Sequence, residues 1–163
     1  MIVNINYKGL LAPGQVDKIN FQRGGTIPKQ KVFRTPDGAT LIVFRTGKYR
    51  LMGLKKPIQL EDLSLPFDLK TIELQSATLV TSYHCDINLI DLANGLHASD
   101  YSFNAETFPA LRLTKYNPAC VNVFASGKIV VTGFRDLEFV NTFLTSVKSY
   151  IRSVLCDYYI NLI

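Results

Sequence analysis

The stretch Phe44-Arg-Thr-Gly-Lys-Tyr-Arg-Leu-Met-Gly53 occurs a second time in the chain, as Phe124-Ala-Ser-Gly-Lys-Ile-Val-Val-Thr-Gly133. Phe, Gly, Lys and Gly return at the same offsets 80 residues later, and so does the valine that precedes each phenylalanine. Two unrelated hairpins can share a Gly-Lys turn, but five coincidences at one spacing favour a duplicated unit. We therefore expect two copies of one structural unit.

Each copy has the residue pattern of a β-hairpin. Residues 40–44 are β-branched and apolar, a turn follows at 45–48, and residues 49–52 form the returning strand. The second copy repeats this pattern, and a further strand opens each half. The six predicted strands are residues 2–8, 40–44, 49–52, 71–81, 121–124 and 129–132.

Helical periodicity is clearest over residues 135–155, where apolar residues recur every three or four positions. These residues are Leu137, Val140, Leu144, Val147, Ile151 and Val154. A shorter helix is predicted over 87–96 with Asp86 as its N-cap. The first half has room only for short helices, at 15–22 and 58–65. The pattern therefore predicts two unequal α+β halves, of which the second is the fuller.

Alternation divides the predicted strands into two faces. The residues of the first, mainly aliphatic face are Val3, Ile5, Tyr7, Leu41, Val43, Leu51, Val121, Val123, Ile129 and Val131. The residues of the opposite, mixed face are Asn4, Asn6, Lys8, Ile42, Phe44, Arg50, Met52, Asn122, Phe124, Val130 and Thr132. We expect the amphipathic helix to cover the first face. A half-apolar face with basic residues indicates a binding surface for nucleic acid, and the alternatives are a second helical layer or a dimer contact.

Composition limits the class of protein. The chain has 163 residues, of which 47% are hydrophobic and 19% are charged, and this is typical of a globular domain. No apolar run approaches the roughly 20 residues of a membrane span, and the N-terminus lacks the pattern of a secretory signal. Three cysteines without CxxC spacing fit a reducing compartment. The net charge of +5 favours polyanionic partners.

No constellation of residues predicts catalysis. His84, His97, Cys85 and Cys120 match no standard zinc spacing. No phosphate-binding GxGxxG or GxxxxGK[ST] motif occurs. We therefore expect neither an enzyme nor a metal or cofactor site.

One segment of the second half carries a family resemblance. Phe108-Pro-Ala-Leu-Arg, Asn117-Pro118 and the run from Val123 to Gly133, followed by a long helix, resemble the second repeat of the TATA-binding protein family. The resemblance covers residues 72–155, and a weaker one covers 2–9 and 27–53.

The resemblance implies a TBP-like saddle, an α+β fold. In this fold two pseudo-symmetric repeats form a curved antiparallel sheet with helices on its convex side. Residues 1–70 would be a degenerate first repeat. Residues 71–163 would be a fuller second repeat with a C-terminal helix and an apolar tail, and together they would make one intact saddle domain.

The same resemblance implies a transcription initiation factor without enzymatic activity or cofactor. It would bind double-stranded, A·T-rich promoter DNA in the minor groove, bend it with phenylalanine wedges and recruit a IIB-like factor and the RNA polymerase machinery. We expect it in the nucleus, or else in a cytoplasmic viral factory. One alternative is a non-bending scaffold subunit of a transcription or viral assembly. Another is an appendage of a nucleic-acid enzyme, against which the short chain counts.

Four apolar residues correspond to the family's wedges. Phe108 and Phe124 match both wedge positions of the second repeat, and Phe44 matches one of the first. Ile27, followed by proline as Phe108 is, takes the place of the other. Apolar side chains of several types can open a base step.

The remaining implied site residues are polar, basic or groove-lining. The positions matched to the family's groove contacts are Asn6, Ser76, Val130, Thr132, Arg50 and Met52, of which Ser76, Arg50 and Met52 differ from the family's residues. Lys48 and Lys128 match phosphate contacts, with Arg34, Arg112 and Lys115 as weaker candidates. Glu106 is the candidate contact for the IIB-like partner.

Overall fold

The computed structural model of the chain describes residues 1–22, 24–57 and 64–163. Nine β-strands and two α-helices lie within these residues. Their bounds are β1 Ile2–Leu10, β2 Gln30–Arg34, β3 Thr40–Phe44, β4 Lys48–Leu54, β5 Glu73–Ser82, α1 Leu89–Gly95, β6 Tyr101–Ser102, β7 Ala110–Leu113, β8 Cys120–Phe124, β9 Lys128–Phe134 and α2 Val140–Asn161. All six predicted strands are confirmed, with ends that differ by at most two residues. No helix in the described ranges is long and apolar enough to cross a membrane.

The chain divides into two compact units. The first unit is Val3–Ala77, and the second unit is Met1–Ile2 together with Thr78–Ile163. The boundary between them falls inside β5, a few residues beyond the boundary expected at residue 70.

In the first unit, antiparallel strands lie in the order β2-β3-β4-β1. The predicted aliphatic face forms the core, since Ile5, Leu41, Val43 and Leu51 are fully buried. Tyr49 is buried beside them, and its hydroxyl donates a 2.6 Å hydrogen bond to the carbonyl of Thr71.

The helix predictions for the first unit need correction. Residues 15–22 contain only one 3-10 turn, Val16–Lys18, and not a helix. No side chain caps this turn and none of its residues is buried, whereas the seven-residue helix α1 has a side-chain cap and three buried residues, and short helices depend on such packing. Most of the other predicted short helix, 58–65, lies outside the described residues.

In the second unit, antiparallel strands lie in the order β9-β8-β7-β6. Their aliphatic side chains are fully buried, and four apolar residues of α2 at three- and four-residue spacing are buried as well, whereas Leu137 and Val154 are only half-buried. The buried set is Val121, Val123, Ile129 and Val131 of the strands with Val140, Leu144, Val147 and Ile151 of α2. The predicted amphipathic helix is therefore confirmed.

The ends of both helices differ from the prediction. A 3-10 turn at Leu137–Phe139 precedes α2, so the helix begins five residues late. Its cap and first turn contain no acidic side chain. Helix α1 is capped by Asn88 and not by Asp86, because the Asn88 side chain accepts hydrogen bonds from the backbone N–H groups of Ile90 and Asp91.

The apolar tail proves to be the last turns of α2. The Tyr159 hydroxyl donates to Asp91 at 2.8 Å, and the Asn94 amide donates to the Tyr158 hydroxyl at 3.3 Å. These contacts hold the end of α2 against α1. Ile160 and Leu162 remain exposed, so these residues lie outside the core.

Candidate nucleic-acid interface

The second unit presents one exposed face, opposite its core. Arg112 pairs across the strands with Asn122, which pairs with Val130, and Cys120 pairs with Thr132. Directly opposed residues lie on the same side of a sheet. The second-unit face therefore consists of Arg112, Cys120, Asn122, Phe124, Val130 and Thr132, with Phe108 preceding β7.

Two phenylalanines dominate this face. The ring centroids of Phe108 and Phe124 lie 6.3 Å apart in an edge-to-face arrangement. Phe108 is 41% exposed, and Phe124 is half-buried. The structure thus brings the two predicted wedges of this unit together as a pair.

A polar contact adjoins the ring pair. The Arg112 guanidinium lies 6.0 Å from the centre of the Phe108 ring, and its Nε donates to Asn122 Oδ1 at 3.4 Å. Asn122 is only 8% exposed. Sequence reasoning placed Asn122 on this face without assigning it a role. The sequence signal that could have assigned one is a polar amide between Val121 and Val123, two core residues of β8.

The first unit presents an equivalent exposed face. Lys8 pairs with Arg50, Arg50 with Ile42, and Ile42 with Val32. Met52 lies opposite Thr40. The first-unit face consists of Lys8, Val32, Ile42, Phe44, Lys48, Arg50 and Met52, with Ile27 preceding β2. Ile27 is 53% exposed.

A basic groove of about 860 Å³ opens on the first unit. It is lined by Phe44 and by the cations Lys8, Lys29, Arg45, Lys48 and Arg50. Among the described residues, Glu73 is the acidic residue that lines the groove, and it lies 3.7 Å from Lys8. Both side chains of that pair are exposed, so the pair is weak and the groove keeps a positive charge. The groove unites the predicted residues Phe44, Lys48 and Arg50. Lys29 and Arg45 were missed, since only strand pairing brings them there.

The predicted polar pair Asn6 and Ser76 does not occupy equivalent positions. Ile5 and Tyr7 are the buried residues of β1, and Ala77 and Leu79 are those of β5. When these buried residues are aligned, Ile5 with Ala77 and Tyr7 with Leu79, the counterpart of Ser76 is Asn4. The Oδ1 atom of Asn4 accepts a hydrogen bond from the N–H of Gly53 at 2.9 Å. The Oδ1 atom of Asn6 is buried without a hydrogen-bond partner in the described part of the chain.

The other predicted residues lie in the turns and at the helices. Lys128 begins β9 at the β8–β9 turn, as Lys48 begins β4 at the equivalent turn. Glu106 is exposed in the loop before Phe108, where its N–H donates to Asn104 Oδ1 at 3.1 Å. Lys115 was a weak phosphate candidate, but its ammonium lies 3.8 Å from the centre of the Tyr150 ring on α2. That cation–π contact places it with the helices.

Over the residues that the structure describes, no three His, Cys, Asp or Glu side chains come together as metal ligands would. Among the large pKa shifts, burial raises the pKa of Tyr49 and of Tyr116 to about 12. Tyr49 lies among the residues that line the basic groove, and Tyr116 packs with Phe143 and Tyr150 of α2.

Two repeats of one β-hairpin unit, each with an exposed apolar and basic face, define a class of two-repeat binding protein. Residues 71–154 match the family described as transcription factor TFIID, or TATA-binding protein, TBP. The chain belongs to this family. Its matched segment falls almost entirely on the second unit, and the family is one of transcription factors, which agrees with the prediction that the chain is not an enzyme.

Curated relatives have the same name. The chain is 31% identical to TATA-box-binding protein 2 of Haloferax volcanii over 125 residues, which cover 68% of this chain and 67% of that protein. It is 30% identical to the TATA-box-binding protein of Methanothrix thermoacetophila over 88 residues, 53% of this chain. That alignment spans only 47%, about half, of the Methanothrix protein.

A solved structure has the same fold. The TBP of Methanococcus jannaschii superposes with a TM-score of 0.68 over 93% of this chain and 97% of that chain, at 23% identity. The predicted fold class is therefore confirmed.

Proposed function

We propose that the chain is a transcription initiation factor that binds double-stranded, A·T-rich promoter DNA through the minor groove. The observation that carries the proposal is the Phe108–Phe124 pair, which lies on an exposed face in the segment that matches the TBP family. The names of the relatives, TATA-box-binding proteins, support the choice of DNA.

The ring pair is suited to wedge between base pairs. Apolar side chains that enter the minor groove unstack a base step and bend the duplex, and the unstacking costs a few kcal/mol. Phe108 is already 41% exposed in the free protein, so its ring can reach a base step with little change in the side chains around it. Phe44 and Ile27 are the proposed wedges of the first unit.

The cations supply affinity that does not depend on sequence. Lys48 lies in the basic groove and Lys128 begins the second strand of the equivalent hairpin. Each cation that neutralises a phosphate releases counterions, so binding should weaken as salt rises.

The rest of the two faces suits A·T pairs. In the minor groove an A·T pair presents only acceptors, whereas a G·C pair adds the amino group of guanine. Val130 would leave that amino group without a partner, which is costly in a dry interface. Asn6 and Ser76 are proposed donors to the acceptors, and Thr132 and Met52 line the groove.

DNA bound in this way would serve as a platform for other factors. We expect a IIB-like partner and the polymerase machinery, with Glu106 as a contact, because it is exposed beside the Phe108 wedge. The protein would act where the chromosome lies, in a nucleus or a nucleoid.

The test measures binding and bending together. A duplex with an A·T-rich centre carries a donor dye at one end and an acceptor at the other, and it is titrated at several salt concentrations. We expect salt-sensitive binding with increased energy transfer. Phe108→Ala and Phe124→Ala should each lower the transfer and weaken binding at least about fivefold, since each removes one wedge.

Phe139→Ala is the matched control. Phe139 is 54% exposed but caps α2, away from the exposed faces. It should bind and bend as the unaltered protein does. Absence of binding to any duplex, or equal losses for all three substitutions, would contradict the proposal.

A non-bending scaffold is the second candidate. Ile27 in place of a phenylalanine, and Arg50 and Met52 at groove-lining positions, favour it. This candidate predicts salt-sensitive binding without increased energy transfer and without any effect of Phe108→Ala.

A further inference from the structure

The β8–β9 turn is held by residues 82–87, which we call the Cys85 segment. The carbonyl of Gly127 accepts a hydrogen bond from Tyr83 N–H at 3.1 Å, and the carbonyl of Ala125 accepts one from Ile87 N–H at 2.7 Å. The Cys85 segment therefore fixes the turn at two points.

Packing reinforces these hydrogen bonds. Gly127 is buried although it lies in a turn, because the carbonyl oxygen of Cys85 occupies the space that a Cβ on Gly127 would need. Phe124 ends β8 and Lys128 begins β9. The proposed wedge and the proposed phosphate contact thus lie at the two ends of a turn that the Cys85 segment holds.

A lysine on α2 holds the Cys85 segment from the helical side. The Nζ atom of Lys148 donates a 3.0 Å hydrogen bond to the carbonyl of Ser82 and lies 5.1 Å from the centre of the Tyr83 ring. The Tyr83 hydroxyl in turn donates to the carbonyl of Lys148. Lys148 is half-buried and forms no ion pair within the part of the chain that the structure describes.

The backbone of the Cys85 segment has an uncommon conformation between these attachments. His84 has a φ of 58°, and its N–H donates to Ser82 Oγ at 3.0 Å. A residue other than glycine keeps such a conformation where the surrounding contacts determine it. Those contacts are with α2 on one side and with the β8–β9 turn on the other. Loss of the contact with α2 should therefore loosen the contact with the turn.

The equivalent turn of the first unit provides a comparison within the same chain. Leu11 N–H donates to the carbonyl of Gly47 at 2.8 Å, as Tyr83 N–H donates to that of Gly127. Leu11 also takes the place of Tyr83 when β1 and β5 are aligned by their buried residues. Its side chain is apolar and has no hydroxyl group with which to bind a helix.

On this basis, and resting on the proposed function, we infer that Lys148 is a positioning residue for a DNA contact of the second unit. Lys148 lies on α2, which packs on the buried side of the sheet. It holds the Cys85 segment, which holds the turn, and so keeps Lys128 where it meets a phosphate. The helical side of the second unit thereby controls a contact on the exposed face.

The first test needs no DNA. Hydrogen exchange at the N–H groups of Tyr83 and Ile87, followed by NMR, reports the opening of the Cys85 segment. Lys148→Met removes the hydrogen bond to Ser82 and keeps a long side chain that suits a helix. We expect these two groups to exchange about fivefold faster, the effect of losing one hydrogen bond. Leu11 N–H is the internal control and should be unchanged.

The second test measures the contact with DNA. Lys128→Ala should lower the slope of log affinity against log salt by about 0.9 in the unaltered chain, but by less than about half of that in the Lys148→Met background. Lys48→Ala should lower the slope by about 0.9 in both backgrounds, because Lys48 belongs to the first unit. A merely structural role of Lys148 would lower stability without changing the effect of Lys128→Ala.

Two further variants separate position from charge. Tyr83→Phe removes the hydroxyl that binds the Lys148 carbonyl but removes no charge, so it should act in the same direction as Lys148→Met in both tests. Arg152→Gln removes one charge from the same helix. The hydrogen bond between Arg152 and the Tyr83 hydroxyl is made by the backbone, which glutamine keeps, so both readouts should be unchanged.

Each other outcome contradicts a defined part of the argument. Unchanged exchange at Tyr83 and Ile87, or an equal increase at Leu11, overturns the link between α2 and the turn. Faster exchange with an undiminished effect of Lys128→Ala overturns the positioning role while the proposed function stands. The same changes in Arg152→Gln would assign the effect to charge and overturn the inference. Absence of DNA binding by the unaltered chain overturns the proposed function and this inference with it.

Discussion

The two units share a hairpin core and differ in what surrounds it. Three pairs of residues related by the repeat are fully buried in both units, namely Leu41 and Val121, Val43 and Val123, and Leu51 and Val131. The second unit packs two helices with its sheet, whereas the first has one 3-10 turn among the residues described. The repeat therefore specifies the hairpin and its buried face. The segments outside the hairpins determine whether helices form.

Even equivalent turn positions have different surroundings. Gly47 and Gly127 both have a positive φ, of 84° and 80°. A Cβ on Gly47 would meet nothing within 4 Å, but one on Gly127 would lie 2.0 Å from the carbonyl oxygen of Cys85. Both glycines accept a backbone hydrogen bond, Gly47 from Leu11 and Gly127 from Tyr83, but only at Gly127 does a neighbouring segment fill the space that a Cβ would need.

The largest expected effect uses this pair of glycines. Gly47→Ala should cost about 1–2 kcal/mol, the penalty of a positive φ for a residue with a Cβ. Gly127→Ala should cost about 1–3 kcal/mol more, because the added Cβ would overlap the carbonyl oxygen of Cys85 and the backbone must shift to relieve the overlap. The Cys85 segment cannot move freely, since Tyr83 N–H donates to the carbonyl of Gly127 at 3.1 Å. Urea unfolding followed by circular dichroism measures both losses of stability. Equal losses for the two variants would contradict this prediction, because they would show that the Cys85 segment moves aside without a measurable change in free energy.

The second prediction concerns a polar contact that the second unit does not repeat. Tyr49 is buried and donates to the carbonyl of Thr71, whereas its counterpart in the repeat is Ile129. Tyr49→Phe leaves that carbonyl without this donor and should destabilise the chain by about 1 kcal/mol. Urea unfolding at neutral pH is the measurement. Tyr101→Phe, on the short strand β6, is the control and should change stability little.

The same substitution should change the dependence of stability on pH. Burial raises the pKa of Tyr49 from 10.0 to about 12, because the phenolate would be desolvated. The folded state therefore retains the proton over a range in which the unfolded state loses it. The resulting stability is present below about pH 10 and is lost as pH rises from 10 to about 12. Tyr116 has a pKa raised to about the same value, so Tyr49→Phe should remove only part of the loss. An unchanged profile would contradict the role of Tyr49.

Local patterns in the sequence sufficed for the hairpins but not for the edges of the sheets. Residues 40–44 and 129–132 alternate cleanly because one of their faces is buried, and this signal is local. Strand β2 has mostly exposed residues and β6 has only two residues, so neither leaves a clear alternation. The periodicity predicts a helix from residue 135, but Leu137–Phe139 form a 3-10 turn, because tertiary packing overrides local propensity at this end.

The candidate site was predictable where the repeat contains it. Phe44, Phe124 and Lys48 are in the motif itself, and Phe108 is in the segment that resembles the family. The basic groove was not predictable, because Lys29 and Arg45 reach it through the pairing of β2 with β3. The contact of Arg112 with Asn122 likewise joins two strands that are ten residues apart in sequence.

The smallest expected effect compares the two lysines at the hairpin turns. If Lys48 and Lys128 each neutralise one phosphate, then replacing either with alanine should lower the slope of log affinity against log salt by about 0.9. The two changes in slope should agree although the surroundings of the two lysines differ. The slope depends on the number of phosphates that are neutralised and not on the neighbouring cations. Lys18→Ala, in the exposed 3-10 turn, removes the same charge away from both faces and should leave the slope unchanged. A change for only one of the two hairpin lysines would mean that the two units, alike in their cores, do not share a phosphate contact.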